Sequence, residues 1–464
     1  MIRRGILFAL FFIFFACAEE EKIFFETDNE VIRNEEINFF EFEKNEETDF
    51  SEEENKIIRN EEIKFLEAEK ENIPDEFSSL TAEEKIGQLF MLRLPKHATK
   101  VDTNVTNLLA EIPAGGFVFF AENIVSAEQV QELSADLQEI SNIPLLIAVD
   151  EEGGRVSRVG RLFENGITPH AYEIGQCSED LAYETGKTIA RELTNLGINM
   201  NFAPVADIWS NPKNEVIGKR AFGNTAETVA PMVEATVRGL HAGGVMSVLK
   251  HFPGHGDTYE DSHVQLAVNR HDWESWQKTE SLLFASGIKS GADGVMMGHI
   301  TTPNIKKRAV RAFDFGDISE QETQHLEDVV SFEIKKENDE NSAFSEEKKE
   351  NDKNSAFSEE KKETPATFSN FWIEDVLRGE MGFGGLVITD ALEMRALTDN
   401  FSCGEIALRA FLAGADILLI PSNAKEAFQT ILDAYENEIF SEERLNESLR
   451  RIFHAKAKIS NDFE

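Results

Sequence analysis

The chain reads as an α/β protein built on a (β/α)8 TIM-type barrel, and three observations in the sequence lead there. Eight short apolar runs recur along it: "LFMLRL" (89–94), "GFVFFA" (116–121), "LLIAVD" (145–150), "INMNFAPVAD" (198–207), "GVMSVLK" (244–250), "GVMMGH" (294–299), "GLVITD" (385–390) and "DILLIP" (416–421). Amphipathic stretches such as "SAEQVQELSADLQEI" and "LAYETGKTIARELTNLG" lie between them, which is the rhythm of βα units. Polar residues also close the runs: Asp150, Asp207, Lys250 with His251, His299 and Asp390. A parallel barrel gathers its active site at those C-terminal strand ends. A doubly wound open sheet is the competing arrangement, but no G-x-G-x-x-G follows an early strand.

Each part of the chain fits this division. The first 17 residues, "MIRRGILFALFFIFFAC", set two arginines before an apolar run of about a dozen residues, short of the roughly 20 that span a bilayer. They read as an export segment, and Ala16-Cys17 resembles the end of a bacterial lipoprotein processing site, with Cys17 as the lipidated residue. Phe14 and Phe15 stand where that pattern usually carries Leu and a small residue, and an uncleaved anchor is the alternative. Either way the expectation is an exported, membrane-anchored protein, periplasmic or on the cell surface.

Residues 18–76 read as a disordered acidic tether, and about 306–363 as a charged low-complexity insertion into a domain spanning 77–464. "VIRNEEINFFEFEK" (31–44) returns as "IIRNEEIKFLEAEK" (57–70), and "NSAFSEEKKENDK" (341–353) returns as "NSAFSEEKKE" (354–363). These repeats are too few to stack into a solenoid. The formal charge of −40 is concentrated there: 18–80 carries 23 acidic and 7 basic side chains, and 317–363 carries 16 and 7. So acidic a chain repels nucleic acid. Cys177 and Cys403 are too few for a disulfide framework or a zinc site.

The densest chemistry lies in "KHFPGHGDTYEDSH" (250–263), directly after the fifth run. It has little apolar to bury beyond Phe252 and Tyr259, and reads as an exposed loop. A metal site is one reading, but the histidines lack the H-E-x-x-H spacing and no H-x-H stands near the first strand. A phosphate cradle is another. "GGRVSRVG" (153–160) supplies arginines, yet Asp150, Glu151 and Glu152 beside it would repel a phosphate. Acid–base chemistry on a neutral, hydroxyl-rich substrate is left. Asp150 suits bidentate bonding to vicinal hydroxyls, Arg158, Arg220 and Lys250 can donate to ring substituents, and Asp390 stands as nucleophile opposite a protonated partner.

Four ordered blocks, "LLIAVDEEGGRVSRVG", "INMNFAPVADIWSNPKNEVIGKRAFG", "KHFPGHGDTYEDSH" and "LRGEMGFGGLVITDALEM", resemble glycoside hydrolase family 3, in its β-N-acetylhexosaminidase branch. The resemblance covers about 80 to 425 and implies a (β/α)8 barrel and a retaining hydrolase that releases terminal β-linked N-acetylglucosamine. It makes Asp390 the nucleophile, His263 the general acid/base and Asp261 its dyad partner, with Asp150, Arg158, Arg220, Lys250 and His251 at sugar-binding positions. It implies no metal or cofactor, and a carbohydrate partner such as a peptidoglycan fragment. Asp261 can hydrogen-bond one ring nitrogen of His263 while the other faces the glycosidic oxygen. Gly254 and Gly256 would let the loop swing over the substrate. His255 and His299 are expected to be structural. Ala391 and Glu151 depart from the branch, where an aspartate and a glutamine are common. A β-glucosidase-like enzyme of the same family, which draws its acid from a second domain, and a silent lipid-tethered binding protein are the alternatives. With no second domain after about 425, the acid is expected from the barrel itself.

Overall fold

The computed structural model describes residues 77–164, 166–259, 266–305 and 364–460. The export segment with Cys17, the 18–76 tether, the insertion and the Asp261–His263 pair lie outside the described residues. Among the described residues no helix is long and apolar enough to cross a membrane.

The unit from Leu80 onward holds the expected barrel. Its strands are β1 (Phe90–Arg93), β2 (Gly116–Val118), β3 (Leu146–Val149), β4 (Met200–Asn201), β5 (Met246–Phe252), β7 (Gly294–Met297), β9 (Leu386–Thr389) and β10 (Leu418–Leu419). They pair in parallel in the order β10-β1-β2-β3-β4-β5-β7-β9. A parallel bridge from Ile388 to Ile417 joins the two ends of that order and closes the cylinder. Every one of the eight apolar runs supplies one strand, in sequence order. A minor pair, β6 (Ala267–Val268) with β8 (Ile300–Thr301), sits outside the barrel.

The strands are continuous apolar runs because helices cover their outer face and side chains fill the inside. Phe90, Phe117, Ile147, Val248, Val295 and Val387 are all fully buried. Close approach is bought locally by glycine: a Cβ on Gly116 would come within 2.2 Å of the Leu146 carbonyl oxygen in the neighbouring strand. The covering helices begin on side-chain caps. Ser126, Ser178, Thr225 and Asn423 each accept the backbone N–H three residues on, which satisfies one of the donors a helix start leaves open.

One buried group in the wall has a stability consequence. Glu192, on the helix Glu179–Asn195, is 8% exposed. Burial, reinforced by the Glu151 carboxylate, pushes its carboxyl up to about 7. A carboxyl raised in the fold favours the folded state at low pH, and that advantage is lost as pH rises toward and through 7. Glu192→Gln is therefore expected to raise Tm at pH 8 by about 1–3 °C and to leave it unchanged only at about pH 4 or below, where the unfolded carboxyl is also protonated, as calorimetry at the two pH values would register.

Candidate active site

The chain leaves β3 at Asp150 and turns sharply. Asn201 in β4 grips the turn on both sides, its side chain accepting from the Glu151 N–H and donating to the Glu151 carbonyl, each at 2.9 Å. This sends Asp150 and Glu152 to one side of the backbone and Glu151 to the other. Glu151 is 1% exposed, and its carboxylate accepts from the N–H groups of Arg158 and Val159 at 2.7 and 2.8 Å. The departure from glutamine thus falls on a loop staple. Gly153 and Gly154 adopt left-handed backbone (φ +85° and +55°) between them.

Glu152 and Asp150 meet the end of β5. Lys250, 2% exposed, places Nζ 2.6 Å from Asp150 Oδ1 and 2.6 Å from Glu152 Oε1. Arg220 closes a fork on Glu152, Nε to Oε2 at 2.7 Å and Nη2 to Oε1 at 2.8 Å. Burial works against the Glu152 anion, but Arg220 and Lys250 outweigh it and hold the carboxyl well below the usual range. Burial likewise opposes the Lys250 charge, and Asp150 and Glu152 together still raise its pKa. These groups stay ionised throughout neutral pH.

His251, joined to Lys250 by a cis peptide, faces the same space. Its Nδ1 lies 2.8 Å from Asp207 Oδ2, and its Nε2 lies 3.5 Å from Arg220 Nη2. Asp207 is fully buried and also accepts the His255 N–H at 2.7 Å. Its side chain therefore orients His251 from behind. His255 stacks its ring edgewise on His251 at 5.7 Å, and burial, with the neighbouring His251, pushes it down to about 4. Though expected to be structural, it also lines the cavity.

Across the cavity Asp390 follows β9 at 8% exposure, with one carboxylate oxygen accepting the Ala391 N–H at 2.7 Å. His299 supports this turn: Nε2 is 3.0 Å from the Ala391 carbonyl oxygen and Nδ1 is 2.8 Å from Thr367 Oγ1. Asp207 lies six residues beyond β4 rather than at its end, and His299 two beyond β7; both brace the cavity wall from behind.

Asp150, Arg158, Arg220, Lys250, His251 and Asp390 all line one cavity of about 550 Å³ at the mouth of the barrel. That size lies within the ~300–1,000 Å³ of small-ligand sites. The structure adds residues that sequence reasoning passed over. Glu152 sits two positions from Asp150, and the turn held by Asn201 brings both carboxylates to one side. Arg93 ends β1, bonds Glu393 Oε1 at 2.6 Å and lies 4.0 Å over the Phe120 ring. A charged residue inside the apolar run 89–94 was its signal.

The first half of the 250–263 stretch is buried rather than exposed. Residues 250–256 are buried, with Phe252 at 0% and His255 at 1% exposure, because polar side chains here bury themselves against one another. Gly254 and Gly256 sit where close packing leaves no room for a side chain. A Cβ on Gly256 would come within 1.6 Å of the Ile208 carbonyl oxygen, and one on Gly254 (φ +128°) within 2.4 Å of Glu280 Cγ.

Residues 81–314 and 354–455 match the family model described as the glycosyl hydrolase family 3 N-terminal domain. The chain belongs to glycosyl hydrolase family 3. It is 31% identical to a relative named beta-hexosaminidase from Xylella fastidiosa, over 75% of this chain and 88% of that one. It is 30% identical to beta-hexosaminidase A of Pseudoalteromonas piscicida over 82% of this chain, and spans only 62% of that longer protein. Among solved structures it is similar to a glycoside hydrolase family 3 beta-N-acetylglucosaminidase from Paenibacillus, with TM-score 0.67 and 34% identity, over 83% of this chain and 64% of that chain.

Within this family 3 site the load falls on Glu152. Glu152→Gln leaves Lys250 and Arg220 with one carboxylate fewer in a buried place. Loss of about 3 kcal/mol of stability is expected, the scale for breaking a buried ion pair, read by urea denaturation at pH 7.

Proposed function

We propose that the protein is a retaining glycoside hydrolase that releases terminal, non-reducing β-linked N-acetylglucosamine, with peptidoglycan-derived fragments as the substrate class. The observation that carries this reading is the shared cavity. Asp390 and the Asp150–Lys250–Arg220–His251 set line one space of about 550 Å³, a carboxylate on one side and fixed hydroxyl partners on the other. The relatives named beta-hexosaminidase support the N-acetylglucosaminide class.

In this mechanism Lys250, Arg220 and Arg158 donate to ring hydroxyls, and the Asp150 carboxylate accepts from them. Because Glu152 holds Lys250 and Arg220 in place before substrate arrives, little reorganisation accompanies binding. His251, with Nδ1 directed at Asp207, turns Nε2 to the sugar. Asp390 attacks the anomeric carbon and forms the glycosyl-enzyme, while His263, oriented by Asp261, transfers its proton to the departing oxygen. His263 then takes a proton from water, whose oxygen displaces Asp390 and restores both groups with net retention. No step of this scheme calls on a metal or cofactor.

The export reading belongs to the same proposal. The arginine-flanked apolar start and Ala16-Cys17 support a lipid-anchored enzyme held away from the membrane by 18–76, outside the cytoplasm.

Two measurements test these statements. 4-Nitrophenyl β-N-acetylglucosaminide is expected to be hydrolysed well ahead of the matching β-glucoside, and Asp390→Ala to lose at least about 10³-fold in kcat; equal or faster glucoside turnover overturns the substrate class. In the native host, Cys17→Ser is expected to move the protein from the membrane to the soluble fraction; unchanged membrane retention overturns lipid anchoring.

A further inference from the structure

A buried carboxylate outside the cavity ties together the two ends of the segment that carries Asp261 and His263. Glu280 opens the helix Glu280–Lys289 and is 1% exposed. On the side where the segment leaves β5, its side chain packs against Gly254, so closely that a Cβ there would lie 2.4 Å from Glu280 Cγ. On the side where the chain returns, Asn269 Nδ2 donates to Glu280 Oε1 at 3.3 Å and to the Gly254 carbonyl at 3.1 Å. His271 completes the brace. Its Nδ1 lies 3.0 Å from Glu280 Oε2 and its Nε2 3.5 Å from Asp257 Oδ2. Asp257 in turn accepts from Ser210 Oγ at 3.0 Å, and the Thr279 hydroxyl donates to Glu280 Oε2.

Both ring nitrogens of His271 therefore face carboxylates, which suits the imidazolium. The Glu280 hydrogen bond foremost, with the charges of Glu280, Asp257 and Asp272, raises its pKa against the effect of burial. Entry residues 254–257 and exit residues 269–271 are thus fixed to one another through a single buried anion. None of these side chains lines the sugar cavity. Their investment of buried charge is not needed to bind the ring, and it falls on the one segment that holds the acid/base pair.

We propose that Glu280, with His271, is a positioning residue for general acid–base catalysis: it fixes residues 254–257 against 269–271, the two flanks of the stretch that carries His263. This inference rests on the assignment of His263 as the acid under Proposed function. A misaimed acid is felt only where the leaving group needs a proton. For Glu280→Gln, kcat/KM on phenyl β-N-acetylglucosaminide is expected to fall by about 30-fold or more, part of the ~10²–10⁴ that a general acid supplies. On the 2,4-dinitrophenyl glycoside the fall is expected to stay within about 3-fold, and the inhibition constant of N-acetylglucosamine to stay unchanged. If Glu280→Gln does not fold, His271→Gln is read in the same way at the partly exposed end of the brace. An equal fall on both glycosides, or none on either, overturns the proposal. His263→Ala separates the two levels. Leaving-group selectivity in His263→Ala but not in the brace variants sinks the brace alone, whereas its absence in His263→Ala sinks the acid assignment and the brace together.

Discussion

Four charges packed together at the barrel mouth, Lys250 and Glu152 the most deeply buried of them, set the terms for everything around them. Asp150 and Glu152 from the turn after β3, Lys250 from β5 and Arg220 from a third segment bring their ionic atoms within 2.6–2.8 Å of one another. Removing an ion from water costs several kcal/mol even after relaxation, so no one of these side chains would be tolerated alone. Glu152, Lys250 and Arg220 are kept ionised by their neighbours. The result is a patch of donors and acceptors whose charges and directions are fixed before any ligand arrives, in a place where weak dielectric screening strengthens every contact.

That patch is held by a second layer with no access to the cavity. Asn201 and the Glu151 staple set the turn that faces Asp150 and Glu152 inward. Asp207, on the segment that follows β4, holds the His251 ring and the His255 backbone at once. His299 does the same for the turn after Asp390. Rigid strands supply the coarse placement, and these buried polar side chains supply the fine one.

The barrel itself was legible because a parallel strand buried on both faces must be a continuous apolar run, and all eight runs formed strands in order. The β6–β8 pair left no such mark, since two-residue strands are too short for any periodicity. At the site, the strand-end rule found Asp150, Lys250, His251 and Asp390 because their positions follow from the backbone alone. It could not distinguish residues facing the cavity from those bracing it, as Asp207 and His299 show. That distinction depends on which partner arrives from elsewhere in the chain. The same limit hid the burial of 250–256. Polar composition reads as exposure unless the partners, here Asp207, Asn214 and Glu280, are known. Glu152 was passed over because it looked like one more charge in an acidic run.

The closure of the cylinder carries its own consequence for biosynthesis. Phe90 lies beside Leu418, and Ile388 beside Ile417, so the segment around 416–420 is the last stave between the first strand and the one that ends in Asp390. Until that stave has left the ribosome, two edges of bare amide and carbonyl groups face outward, ready to pair with any other unfinished chain. A partial product is therefore both inert and sticky. Such a topology rewards a cell that keeps nascent copies apart until the final third of the protein is complete.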